Sequence, residues 1–168
     1  MFTSGSDGSL KKISIDKNML EQDYGKVHRG AIYSIQISAN SEFLFTSDSF
    51  GNIKQWDIKN MVNCFSYEKA HKGIIHNLCV SFCSRFLFSS DSKGNIKQWN
   101  VAEKSLMKDY GKCHDGIINW VITKGEQDVL FSSDHVGNLK QFSFDDQSVF
   151  QDYEKIHGSA IVSIAMSK

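Results

Sequence analysis

The sequence predicts an all-β fold of repeated antiparallel units, and two observations lead there. The first is a period of 43 residues: segments starting at Phe2, Phe45, Phe88 and Phe131 read FTSGSDGSLKKI, FTSDSFGNIKQW, FSSDSKGNIKQW and FSSDHVGNLKQF. A second series keeps the same step, with DYGKVH ending at His28, SYEKAH at His71, DYGKCH at His114 and DYEKIH at His157. Two anchor series in one register mark a repeat architecture. The second observation is that short apolar runs alternate with turn signals made by Gly, Asn, Asp and Ser, in a chain with no proline. That spacing belongs to a many-stranded β fold.

Each unit is read in the same order. After the His comes strand a, carried by Ile32, Ile35 and Ile37, by Ile75, Leu78 and Val80, and by Ile161, Ile164 and Met166. A polar turn from Ala39 to Glu42 leads to strand b, Phe43 to about Asp48. The Gly51-Asn52 turn leads to strand c, Ile53 to Ile58, and strand d runs from Cys64 to Lys69 into the next His. Four strands per period is the layout of one β-propeller blade. Residues 1–168 therefore read as a single propeller domain of four blades, without linkers. The first blade starts at strand b, and its strand a is expected from residues 160–166, pairing with Phe2 to Ser6. Three assemblies fit this layout: a closed four-blade ring, half of an eight-blade homodimer, or a piece of a larger propeller.

Composition narrows the function. Lys plus Arg and Asp plus Glu both number 19, so no net field draws the chain to nucleic acid or anionic membrane. No run approaches the roughly 20 apolar residues of a membrane helix, and the N-terminus lacks a signal-peptide layout. The default compartment is intracellular, taken as cytoplasmic. Cys64, Cys79, Cys83 and Cys113 follow no metal-binding spacing, and they read as reduced thiols. No metal or cofactor is expected.

The repeat resembles the WD40 family, that of the G-protein β subunit. Asn-Ile-Lys-Gln-Trp56-Asp57 and Asn-Ile-Lys-Gln-Trp99-Asn100 look like its closing signature, each Trp 28 residues after its His, and the likeness covers essentially the whole chain. In that family a His, a strand-b hydroxyl, an Asp and the Trp indole brace each blade. The resemblance then implies braces from His28, Thr46 and Trp56, and from His71, Ser89 and Trp99. His114 and Ser132 make a third, in which Phe142 replaces Trp. The first unit offers Thr3 and Asp7, with Ile13 at the Trp position and His157 as its only source of imidazole if a ring closes. Only Asp7 sits at the family's Asp position. Asp48, Asp91 and Asp134 lie two residues before it, on the same strand face, and are expected to supply the carboxylate instead.

Four periodic histidines could form a metal or catalytic ring. Bracing is the stronger reading, since a ligand cluster needs a convergence that a unit-by-unit repeat does not supply. His76 and His135 fall off the period. Lys26, Lys69, Lys112 and Lys155 could form a basic ring for an anionic partner, but protection of the outer blade edge is the stronger reading, and Tyr24, Tyr67, Tyr110 and Tyr153 read as packing. Positions where the repeats disagree are the candidate partner-binding rim: Phe50, Lys93 and Val136, level with Asp7, in the b-to-c turns, and Arg29, Lys72, Asp115 and Gly158 after each His. Phe50 is the expected anchor. The sequence holds no phosphate loop and no nucleophile elbow. It reads as a non-catalytic scaffold for protein or peptide partners. The rival is an ion or small-ligand site, or an enzyme, at the central channel, favoured by a polar axis and disfavoured by one lined with Ile35 and Leu78.

Overall fold

The computed structural model describes residues 1–123, 129–144 and 149–165. They form four antiparallel sheets in chain order, with no helix. The first sheet has three strands, β1 (Phe2–Ser4), β2 (Ser9–Ser14) and β3 (Met19–Lys26). The second has β4 (Ile32–Ile37), β5 (Phe43–Asp48), β6 (Ile53–Asp57) and β7 (Val62–Tyr67). The third has β8 (Ile75–Val80), β9 (Phe86–Asp91), β10 (Asn95–Asn100) and β11 (Ser105–Lys112). The fourth has β12 (Ile118–Thr123), β13 (Val129–Asp134), β14 (Asn138–Ser143) and β15 (Val149–Lys155). In the second sheet strands a, b and c fall within a residue of their expected places. Strand d begins and ends two residues earlier than expected in the second sheet, because Met61 takes the left-handed turn position (φ 50°) and Lys69 leaves the strand at φ 51°.

The Phe-Leu-Phe-hydroxyl-Ser-Asp pattern of strand b explains how the sheets stack. Alternate residues face opposite ways, so each sheet presents one apolar set backward and another forward. Leu87 and Trp99 of the third sheet pack against Phe45, Ile53 and Tyr67 of the second, whereas Phe88 and Ile96 pack forward on Ile118, Val121 and Phe142 of the fourth. Leu10, Leu44 and Trp56 join the first sheet to the second. The core therefore lies between sheets. No sheet could bury its apolar faces alone.

β4 neighbours β8, and β8 neighbours β12, so the first strands of successive sheets converge on one side of the molecule. Each carries a bulge at the same repeat position, between Ile32 and Ser34, Ile75 and Asn77, and Ile118 and Trp120. Strand d lies on the opposite, outer side. Lys26, Lys69, Lys112 and Lys155 are exposed there, at or just past its end.

The expected pairing of residues 160–166 with Phe2 to Ser6 is not formed among the described residues. β1 pairs with β2 alone, and residues 160–165 carry no strand; Met166 lies outside the described residues. Ile161 is instead held by the fourth sheet, donating its N–H to the Asp134 carbonyl at 3.1 Å while its own carbonyl accepts from Asn119 Nδ2 at 2.9 Å. Ile32 makes the equivalent start, donating to the Gly5 carbonyl at 3.3 Å. No closed ring is formed among the described residues.

The b-to-c turns join each sheet to the next one's approach loop. Gly94 sits at φ +88°, and a methyl group there would run into the carbonyl oxygen of His114. Its own carbonyl accepts from Cys113 N at 2.7 Å and His114 N at 3.2 Å. Gly94→Ala is expected to cost about 2–3 kcal/mol of stability, from the left-handed backbone and the displaced loop. Chemical denaturation that gave a loss under 0.5 kcal/mol would show the turn to be yielding.

Candidate functional site

Three braces of the same geometry stand at the junctions of the sheets. His28 Nδ1 lies 2.9 Å from Asp48 Oδ2 and its Nε2 lies 2.7 Å from Thr46 Oγ1, which also accepts the Trp56 indole N–H at 3.0 Å. His71 repeats this with Asp91 at 3.2 Å and Ser89 at 2.7 Å, and Trp99 Nε1 donates to Ser89 Oγ at 2.8 Å. His114 reaches Asp134 at 2.8 Å and Ser132 at 2.7 Å. Phe142 supplies no donor there and is buried edge-on to Tyr110. All three rings and carboxylates are buried. Since a carboxylate only accepts, the proton of the neutral ring sits on Nδ1, and the hydroxyl donates to Nε2. The indole N–H then finds the hydroxyl oxygen. Every polar group within a brace has its partner.

Each Asp also organises its turn. Asp91 Oδ1 accepts from Lys93 N and Asn95 N, both at 2.9 Å, and Asn95 Nδ2 reaches both carboxylate oxygens. Asp48 does the same for Phe50 and Asn52, and Asp134 for Val136 and Asn138. In the first sheet Gly5 takes the position of Asp48, and Asp7 fills the space: a Cβ on Gly5 would run into the Asp7 carboxylate, which accepts from Ser9 N at 3.0 Å. Asp7 is exposed, and no hydrogen bond joins His157 to Asp7 or Thr3 among the described residues. The fourth brace, which required ring closure, is not formed among the described residues, where His157 follows β15 of the fourth sheet. Its N–H donates to the Gly137 carbonyl.

Burial opposes charge on the Asp134 carboxyl, but hydrogen bonds from Asn138 and His114 outweigh it and hold the group at about 2. Asp48 and Asp91 are lowered in the same way. Burial pushes His114 below the ordinary imidazole value, against the pull of Asp134. Both shifts favour the native state at neutral pH, and both are lost on acidification. The His114 contribution is complete above 6.5 and is lost as pH falls toward its lower folded value. That of the carboxylates is complete above 3.8 and is lost as pH falls toward about 2. The thermal midpoint is expected to decline in two stages, below about 6.5 and again below about 4. A midpoint flat from pH 7 to pH 4 would contradict this coupling.

Three repeated contributors were not singled out from sequence, although each carried the 43-residue signal. Lys54 Nζ donates to the Val27 carbonyl at 2.6 Å, and Lys97 Nζ to that of Ala70 at 2.8 Å, pinning the residue before each His. The turn asparagines just described are the second. The third is a buried strand-c glutamine: Tyr67 Oη donates to Gln55 Oε1 at 2.9 Å and Tyr110 Oη to Gln98 Oε1 at 3.0 Å. The periodic tyrosines therefore do more than pack.

The candidate rim residues Arg29, Phe50, Lys72, Lys93, Asp115 and Val136 are all exposed at the ends of the braced loops. Arg29 and Phe50 share a groove of about 780 Å³ with Lys26, Glu68 and Lys69. Phe50 is 65% exposed, yet its ring lies close enough to Gly30 that a Cβ there would sit 2.8 Å away. Asp115 is engaged by Lys112 at 2.9 Å. On the converging side of β4, β8 and β12, Leu78 is buried between sheets and does not line the axis, whereas Ile35 lies on the groove there. The bulges turn Tyr33, His76 and Asn119 toward a shallow groove of about 520 Å³ instead, where Tyr33 and His76 meet edge to face at 5.2 Å.

No three His, Cys, Asp or Glu side chains converge as a metal site among the described residues, and the four cysteines are free thiols. No helix in these residues is long and apolar enough to cross a membrane. No family model matches the chain, and no curated protein matches it significantly.

Proposed function

We propose that the chain is a run of WD40-type propeller blades serving as a non-catalytic, intracellular platform for protein or peptide partners. The observation that carries this reading is the contrast within single loops. Brace positions repeat in identity and geometry, while residues one or two places away are exposed and differ from unit to unit: Phe50, Lys93 and Val136 in the turns, Arg29, Lys72 and Asp115 beside the histidines. A braced loop holds its exposed side chains in place before binding, which lowers the ordering cost of association. The period, the His-to-Trp interval and the three braces support the WD40 assignment. Nucleic acid, membrane, metal and cofactor have no part in this reading.

Photo-crosslinking from a residue analogue at Lys72, repeated in a Phe50→Ala/Arg29→Glu background, tests the platform. Defined protein adducts that disappear with the rim substitutions, while the fold is kept, are expected. Adducts untouched by those substitutions would overturn it.

A second reading, a small-ligand site on the axis, is favoured by Tyr33, His76 and Asn119 in the groove of the converging strands and opposed by Ile35 and Val162, which line the same groove. Tyr33, His76 and Asn119 occupy one repeat position and differ in every unit. Ligand-induced shifts confined to the His76 imidazole in a small-molecule NMR screen would raise this reading above the platform.

A further inference from the structure

We infer that the groove between the first and second sheets, with the turn of the third beside it, docks an acidic peptide segment carrying an apolar side chain. This rests on the platform reading and names the chemistry of the partner. The chain is neutral overall, with 19 basic and 19 acidic residues, yet the charges are not evenly matched in space. Lys11, Lys12, Lys97, Lys112 and Lys140 all have carboxylate partners. Lys26, Arg29, Lys69, Lys72 and Lys93 are exposed on the rim and have no ion pair among the described residues. The carboxylates beneath them, Asp48 and Asp91, are buried and committed to His28 and His71. Asp7 and Glu68 are the exposed carboxylates of this stretch, so the rim of the first three sheets keeps an excess of cations.

Phe50 stands in the middle of this surface. Its backbone N–H is fixed by Asp48 Oδ1 at 2.9 Å and its ring rests beside Gly30, so it is exposed but placed. A fixed aromatic flanked by Arg and Lys is the composition of an interface anchor. Charge complementarity selects carboxylates, and Arg29 offers a planar fork to one of them. A nucleic-acid strand fits less well: its evenly spaced phosphates would pass Glu68, which lines the groove, and Asp115 at the end of the band. A peptide can set a neutral residue against each.

The test is fluorescence anisotropy with a labelled nonapeptide of six glutamates and two glutamines around a central leucine, titrated with the full chain at low and moderate salt. Saturable binding that weakens with salt is expected, reduced about tenfold by Phe50→Ala and at least tenfold by Arg29→Glu/Lys69→Glu. Lys59→Glu, on the opposite loops, should leave it unchanged, and thermal unfolding of each variant checks its fold. Absence of saturable binding, equal loss with Lys59→Glu, or tighter binding of an oligothymidine of equal charge would each overturn the inference. Rim-dependent protein adducts from Lys72 without peptide binding would leave the platform standing and remove only its acidic partner.

Discussion

Asp91→Ala is expected to lower the unfolding free energy by about 3–5 kcal/mol, a large share of what holds a domain of this size together. The carboxylate is buried and joins two structures: the ring of His71, which arrives from the second sheet, and the turn that carries Lys93 and Asn95. Truncation leaves the His71 Nδ1 proton and two main-chain N–H groups without an acceptor, and each unmet buried donor costs roughly 1–3 kcal/mol. Asp91→Asn retains shape and part of the accepting capacity, so it should cost about half as much. Urea unfolding of the three proteins measures this directly. Near-equal stability of Asp91→Ala and the parent would mean that the brace is ornamental.

The second large effect is at Trp99. Trp99→Ala should cost about 3–5 kcal/mol, because the ring fills the junction between the second and third sheets beside Tyr67 and Leu87. Trp99→Phe keeps most of the apolar volume and removes the donor to Ser89, and is expected to cost about 1–2 kcal/mol. The fourth sheet already carries that arrangement, with Phe142 at the equivalent position and Ser132 bonded to His114 alone among the described residues. If the Phe variant were as damaging as the Ala variant, the indole hydrogen bond and not packing would dominate.

Much of this was legible in the sequence because the repeat states it several times. Phe45, Phe88, His71 and Trp99 appear in register with their counterparts, so strand order, hairpin turns and the two faces of strand b could be read from period alone. The carboxylate position was also legible: Asp48 and Asp91 share a strand face with Thr46 and Ser89, and alternation brings both toward the His. Less visible was anything set by neighbouring sheets. Leu78 looked like an axis residue from its place on strand a, but the bulge after Ile75 turns His76 to that side and Leu78 into the core. The pairing of residues 160–166 with β1 depended on how far four sheets curve, which no local pattern encodes. The swap of Gly5 and Asp7 for Asp48 and Phe50 was half visible. The sequence displays the displaced carboxylate, while the space left by the missing Cβ needs coordinates.

Buried histidines bonded to aspartates join each sheet to the next, so the most direct measurement is the tautomer of those rings. Long-range ¹H–¹⁵N correlation spectra of the histidine-labelled chain at pH 7.5 report which nitrogen carries the proton. Three slowly exchanging rings protonated at Nδ1 and bare at Nε2, assigned to His28, His71 and His114 by single substitution, are predicted. Averaged spectra with rapid proton exchange, or protons on Nε2, would contradict the His-to-Asp brace and the platform built on it.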